Sequence, residues 1–367
     1  MELQITQEKL DFAFMNVSRV ASSRSSLPIL NNILLRTEKD QLIIAATNLE
    51  IASTHKLQAK ILKQGSITIP AKLISDFVHN LPKETIHLHV KNNQLHIQSG
   101  GYSSIINGVQ DDDFPELPQI DTKNAISYII TNQDFKQAVN QTIIAASSDS
   151  TRPVLTGVYW HSQDGFLYCA ATDGYRLAER KLLETTSQIR AIIPTTTLQE
   201  VLRTLRDENE EIHVLFDETQ VTFLMENIEI TSRLIDGKFP DYRQLIPNES
   251  ETSCTIKSND FNRITKVAGL FARESGGGII LHINADKSTV SVQSIASEIG
   301  ENNSELPVET QGVGGTVSLN SKYLTDALSV IDAQNISFGF SGKLAPCVLQ
   351  KASKSTNYKH IIMPLKS

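Results

Sequence analysis

RPVLTGVYW (residues 152–160) repeats the pattern of LPILNNILL (residues 27–35), with Pro153 standing 125 positions after Pro28. Thr47 in IIAATNLEIA returns as Thr172 in YCAATDGYRLA, and Phe114-Pro115 in DDDFPELP returns as Phe239-Pro240 in GKFPDYRQLIP, each again 125 positions on. A third copy keeps step more faintly. EKL at Leu10, QDF at Phe135 and NDF at Phe261 are spaced 125 and 126 apart, and Pro240 meets Pro364 at 124. A period this long is a whole domain rather than a solenoid unit, and tandem domains of one kind suit a pseudo-symmetric object.

Each copy repeats one order of elements. Leu10, Ala13, Phe14, Val17 and Val20 make an apolar helical stripe, followed by short β-rich runs (NNILLRTE, QLIIAAT, SITIP). A second helix carries Leu73, Ile74, Phe77, Val78 and Leu81 on one face, before TIHLHV, QLHIQS and SSIINGV. Copy two repeats this with Phe135, Val139 and Ile143, then Leu198, Val201, Leu202 and Leu205. Copy three does so with Phe261, Ile264, Val267 and Phe271, then Leu324, Leu328 and Ile331. The expected fold class is α+β: three tandem copies of a domain with two helices on antiparallel sheets. Polar, proline-bearing stretches place the domains at 1–122, 123–249 and 250–367.

A chain of 367 residues with 40% hydrophobic and 20% charged residues is globular and suits more than one core. No apolar run approaches a membrane span, and the amino terminus lacks a signal peptide's apolar core, so the cytoplasm is the expected location and no membrane is expected as a partner. Cys169, Cys254 and Cys347 are odd in number and unpaired in spacing, which fits reduced, buried thiols. A net charge of −7 argues against coating nucleic acid by bulk attraction but leaves room for a basic strip.

Three constellations suggest chemistry and fall short of it. Asp111, Asp112 and Asp113 could hold a metal for a nuclease, yet the cluster does not recur in copy two, and a solvated turn is the expectation. His87, His89 and His96 lack a further ligand at zinc spacing. Gly276, Gly277 and Gly278 lack the Gly-Lys-Ser/Thr of a phosphate loop. No catalytic residue, cofactor or metal is expected.

Two features leave two readings each. Lys9, Arg19 and Lys72 lie off the apolar stripes, as do Arg203 and Arg206, then Arg263, Lys266, Arg273 and Lys322; interleaved acids make an ordinary solvated face an equal alternative to a DNA-facing one. ATDGYRLA, GKFPDYRQL and IIMPL combine Pro, Tyr, Leu and an adaptable Met, which suits either a groove for a peptide or core and strand ends.

LPIL, RPVLTGV, ATDGYRLA, SRLIDGKFPDYRQLIP and the terminal MPL, in that order over the whole chain, closely resemble the beta-subunit family of bacterial replicative DNA polymerases, the sliding clamps. The resemblance implies a head-to-tail homodimer closing a six-domain ring around double-stranded DNA. Helices would line the hole, touching phosphates without reading base edges. It implies a non-enzymatic processivity factor that tethers the replicative DNA polymerase catalytic subunit. The clamp loader, and other polymerases and repair proteins with clamp-binding peptides, would use the same groove.

Carried onto this sequence, that groove involves Leu155, Thr172, Gly174, Tyr175, Arg176 and Leu177 from copy two, with Pro240, Gln244 and Leu245 at its end. Copy three adds Leu344, Pro346, Ile361, Met363, Pro364 and Leu365. Gln244 stands where many relatives carry Arg, and the tail ends Leu365-Lys366-Ser367 rather than in an arginine and a bulky apolar residue. Arg24 and Arg152 match positions near DNA. Strand edges in SGGYSSIING and TVSVQSIASEI, with Leu270 and Phe271 as apolar support, are the expected dimer boundary.

Overall fold

The computed structural model describes residues 1–21, 27–206, 210–273, 276–296, 300–353 and 356–366. The chain forms two compact units, Met1–Phe135 with Thr196–Leu234, and Lys136–Thr195 with Ile235–Ser367. The helices are α1 (Gln7–Val20), α2 (Ala71–His79), α3 (Asn132–Ile143), α4 (Thr195–Thr204), α5 (Ser258–Ala272) and α6 (Ser321–Val330). All the strand pairings described are antiparallel.

The first unit holds a five-stranded sheet and an eight-stranded one. In the larger sheet Ile228–Arg233, from copy two, pairs with Ile51–Gln58, from copy one, through Ile228↔His55 to Ser232↔Ile51. The second unit repeats the device. In its nine-stranded sheet Arg176–Glu184 pairs with Tyr358–Ile362, through Arg176↔Ile362 and Leu177↔Ile361. Continuous sheets joining neighbouring copies explain why the compact units cut through copy two rather than following the sequence repeat.

α1 buries Leu10, Ala13, Phe14, Val17 and Val20, the stripe that its periodicity predicts. It packs on α2, where Gln7 Nε2 donates to the Val78 carbonyl at 2.9 Å. Two stripes differ from expectation. On α2, Ile74 and Val78 are buried but Leu73 is 53% exposed, because the helix turns Ala71 and Ser75 inward instead. On α5 the buried face is Phe261, Thr265, Ala268 and Ala272, whereas Val267 is 37% exposed and Leu270 55%. Small residues at 268 and 272 let this helix sit close on its sheet, which turns the bulky side chains outward. α6 is capped by Asn320, whose Oδ1 accepts from the Lys322 and Tyr323 amides at 2.9 and 3.4 Å.

One expected edge is corrected. Thr289–Ala296 is an inner strand, flanked by Gly278–Asn284 and Gly300–Pro307, and the edge on its side of that four-stranded sheet is Gly300–Pro307. Its sequence, GENNSELP, has almost no apolar residue to betray a strand. Tyr102–Asn107 is an edge strand, as expected.

Candidate functional site

The segment Thr172 to Arg176 is a tight loop closed by its own side chains. Thr172 Oγ1 accepts from the Gly174 amide at 3.1 Å and donates to the Arg176 carbonyl at 2.6 Å. Asp173 Oδ1 accepts from the amides of Tyr175 and Arg176 at 2.9 and 3.0 Å. Gly174 has φ +93°, a left-handed conformation that glycine adopts without strain. The Arg176 side chain is buried. Its Nε reaches Asp173 Oδ2 at 3.0 Å, its Nη1 reaches Asp326 Oδ2 on α6 at 2.6 Å, and its guanidinium lies 4.4 Å from the Tyr323 ring. The Met363 amide donates to the Tyr175 carbonyl at 2.8 Å and the Leu365 amide to the Ser318 carbonyl at 2.8 Å, so the chain's end is fastened beside the loop.

These ties gather most of the expected groove residues in the second unit. Leu155, Leu177 and Ile361 are buried in one cluster with Ala170, Ile192, Phe239 and Tyr242, and Thr172 is buried beside Leu177. Tyr175, Leu245 and Leu344 are 64%, 51% and 65% exposed. Pro240 and Gln244 are exposed, and Pro346, Met363, Pro364 and Leu365 half-buried. Gln244 folds back on its own turn, Nε2 donating to the Asp241 carbonyl at 3.1 Å. Arg176 is placed differently from a free groove side chain: its charge is spent on Asp173 and Asp326.

The cations expected to face DNA divide into free and engaged. Lys9, Lys72, Lys266, Arg273 and Lys322 are exposed and make no ion pair among the described residues. Arg203 pairs with Glu200 one turn back, Arg263 with Asp260 at 3.7 Å, and Arg19 donates to Asn16 at 3.1 Å. Arg206 lies over the Phe12 ring, 3.3 Å from its centroid, in a cavity of about 220 Å³ that His55 also lines. Burial, helped by the Arg206 charge, holds the His55 pKa down to about 3. Arg152 is exposed, near Gly174 rather than on a helix. Arg24 lies outside the described residues.

The whole chain is similar to known proteins. Family models of the DNA polymerase III beta subunit match residues 1–118 (N-terminal domain), 129–241 (central domain) and 243–366 (C-terminal domain). The beta sliding clamp of Bacillus subtilis is 30% identical over 380 residues, covering all of both chains, and that of Staphylococcus epidermidis 31% over 379, again all of both. The chain belongs to the beta sliding clamp family. The crystal structure of the Bacillus subtilis sliding clamp superposes on it with a TM-score of 0.94 at 29% identity, covering 100% of this chain and 99% of that one. The three tandem clamp domains expected from the repeat are those of this family, and so is the sliding-clamp reading rather than the nuclease.

In this clamp chain the aspartate run holds a turn. Asp111 accepts from Ser66 Oγ at 2.7 Å and from Arg36 Nη2 at 3.0 Å, and these bonds outweigh burial to hold its carboxyl below the usual carboxylate range. No group of three His, Cys, Asp or Glu among the described residues could hold a metal ion. His89 and His96 face each other across strands, rings 5.9 Å apart, whereas His87 opposes Gln98. Gly276 and Gly277 (φ +71° and +82°) make the turn after α5. No helix of the described residues is long and apolar enough to cross a membrane. All three cysteines are buried thiols, and burial pushes Cys254 and Cys347 up to about 12.

Sequence reading missed a stack beneath the 236–246 segment. Phe239 lies on Tyr159 (4.8 Å, 11°), Tyr159 on His161 (4.7 Å, 16°) and His161 against Tyr168 (5.7 Å, 18°), with the Arg243 guanidinium 4.1 Å from the Tyr168 ring. The available signal was Asp164-Gly165, a hairpin dipeptide that pairs His161 with Tyr168.

Proposed function

We propose that this chain is a non-catalytic processivity factor. Two copies join head to tail, domain one of each against domain three of the other, into a ring of six domains around double-stranded DNA. Closed symmetry favours this: three like domains complete such a ring only with a second chain. Leu270 and Phe271 on α5 and the edge strands Tyr102–Asn107 and Gly300–Pro307 would meet at the boundary. The exposed cations of the helices would touch phosphates of any sequence, giving loose retention that enclosure makes persistent. The segments matched by the family models support a first domain boundary near residue 122 and favour a second near 242 rather than 249.

The observation that carries the partner side of this reading is the exposure of Tyr175, Leu245 and Leu344 on segments that lead into the buried cluster of Leu155, Leu177 and Ile361. Large apolar side chains left exposed beside a buried apolar cluster suit an interaction site. A short peptide with a glutamine and spaced Leu and Phe anchors, borne by the replicative polymerase, the clamp loader or repair proteins, would cover it.

The test is calorimetry with such a peptide, beside light scattering of the free protein. The expected result is a dimer at micromolar concentration that binds the peptide, with Tyr175→Ala plus Leu344→Ala weakening it about tenfold or more and leaving the dimer intact. DNA incubated with the protein and magnesium stays uncut. A monomer, cleaved DNA, or unchanged affinity in the double variant would each overturn the corresponding part.

A further inference from the structure

The 236–246 segment carries Pro240, Gln244 and Leu245, yet its only regular element is the short 3-10 turn Arg243–Leu245. What fixes it is side-chain chemistry with the strands beneath. Phe239 stacks on Tyr159, Arg243 Nε reaches Glu179 Oε2 at 3.1 Å, and Tyr242 donates its O–H to Glu179 Oε2 at 2.6 Å. His161 Nε2 is 2.7 Å from the same Tyr242 oxygen. Since Tyr242 spends its one proton on Glu179, Nε2 must carry the hydrogen of this bond. His161 is thus both the middle ring of the stack and the donor that fixes Tyr242.

The internal repeat supplies an independent observation. The position 125 residues before His161 is Arg36, on the matching strand of copy one. Arg36 also grips the segment before a Phe-Pro pair, through Asp111 at 3.0 Å. One strand position therefore anchors the Phe-Pro segment in both copies, by an ion pair in the first and by a stacked histidine in the second.

We propose that His161 is a positioning residue for partner binding: through Tyr242 and the Tyr159–Tyr168 stack it sets where Pro240, Gln244 and Leu245 stand on the partner-binding face. This rests on the peptide-binding reading above. It requires that loss of His161 release the segment while the strand beneath remains folded.

The experiment uses the full-length protein and the Gln/Leu/Phe peptide, with His161→Leu, His161→Gln and, as a control, Val158→Ala on the same strand. Amide exchange over residues 239–245 is measured on each. The expected result is about tenfold weaker binding and faster exchange at 239–245 in His161→Leu. Most of the affinity should return in His161→Gln, which keeps an N–H donor, and Val158→Ala should bind as the parent does. Parent-like binding and exchange in His161→Leu would overturn the proposal, and so would an equal loss in Val158→Ala, which would reduce it to general destabilisation. If the parent itself ignored the peptide, the binding reading would fall, while exchange at 239–245 would still decide whether His161 holds the segment.

Discussion

The face around Thr172 in the second unit has a counterpart around Thr47 in the first, and the two share a backbone but not a surface. Thr47 Oγ1 accepts from the Leu49 amide and donates to the Ile51 carbonyl, each at 3.0 Å, and Asn48 Oδ1 accepts from the amides of Glu50 and Ile51. These are the bonds of Thr172 and Asp173, displaced by 125 positions. The Arg233 amide donates to the Glu50 carbonyl at 2.9 Å where the Met363 amide donates to the Tyr175 carbonyl. The floors correspond as well: Leu34, Ala45 and Phe114, with Ile29 and Leu117 against them, match Tyr159, Ala170, Phe239, Val154 and Tyr242.

The difference lies in what covers the shared frame. Glu50 replaces Tyr175, Thr231 sits on the partner strand where Ile361 does, and Arg233 replaces Met363. The first face is thereby charged at its rim and the second apolar. A repeated fold presents a different surface in one copy by changing a few side chains on an unchanged backbone, which is how function comes to be grafted onto a fold.

The sharpest break between the two loops should come at Arg176, which replaces Ile51. Arg176→Ala strips Asp173 and Asp326 of their shared cation in a half-buried setting. It should cost about 2–3 kcal/mol, because a charge left unpaired away from water loses more than the bond itself. The urea midpoint of unfolding should fall accordingly, whereas Arg152→Ala, at an exposed neighbour, should stay within about 0.5 kcal/mol. Equal effects would mean that the Arg176 network contributes no more than a surface pair.

A smaller and opposite pair of effects is expected two residues earlier in each loop. Leu49 has φ +73° at the position where copy two has Gly174 at φ +93°. Left-handed backbone costs a side-chain-bearing residue roughly 1–2 kcal/mol. Gly174→Leu should therefore destabilise by about that amount, the nearest atom to a new Cβ being Arg152 Nη1 at 4.0 Å. Leu49→Gly should be neutral or stabilising by about 0.5 kcal/mol, relief of strain being partly offset by unfolded-state entropy. Thermal unfolding of the two variants checks the contrast, and a loss in both would show that Leu49 earns its place by packing.

The period, the α1 stripe and the Thr172 loop are legible because each needs particular residues at fixed spacing: Pro at a turn, Thr and Asp to close it, Leu and Phe at helical intervals. The 3-10 turns Pro28–Asn31 and Pro153–Leu155 begin at the repeated prolines. α5 is not legible in the same way. Phe261, Ile264, Val267 and Phe271 fit a helical period as well as Phe261, Thr265, Ala268 and Ala272 do, and only the closeness of the sheet decides for the small residues. The strand Gly300–Pro307 is hidden by its polarity. The fate of Arg176 is hidden for another reason, since Asp326 is 150 positions away and no local pattern joins them.

The smallest effect concerns pH and again separates the copies, because copy one has Arg36 rather than a histidine at the position of His161. Burial first, then the charges of Arg243 and Arg190, lower the His161 pKa from its ordinary 6.5 to about 4. In the folded protein it is neutral at pH 7, while in the unfolded chain it takes up a proton below about pH 6.5. A depressed native pKa contributes stability that is fully present above the unfolded value and is lost as pH falls toward the folded one. Between pH 7 and 5.5 His161 should account for a loss of about 1 kcal/mol. His55 and His360, both held at about 3, add losses of the same sign over that range. Urea titrations at the two pH values, on the parent and on His161→Phe, isolate this share: the variant keeps a stacked ring but has nothing to protonate, so its stability should fall less steeply. Parallel slopes would mean that His161 is as easily protonated in the folded chain as in the unfolded one, and that the stack with Tyr159 and Tyr168 does not exclude the charged form.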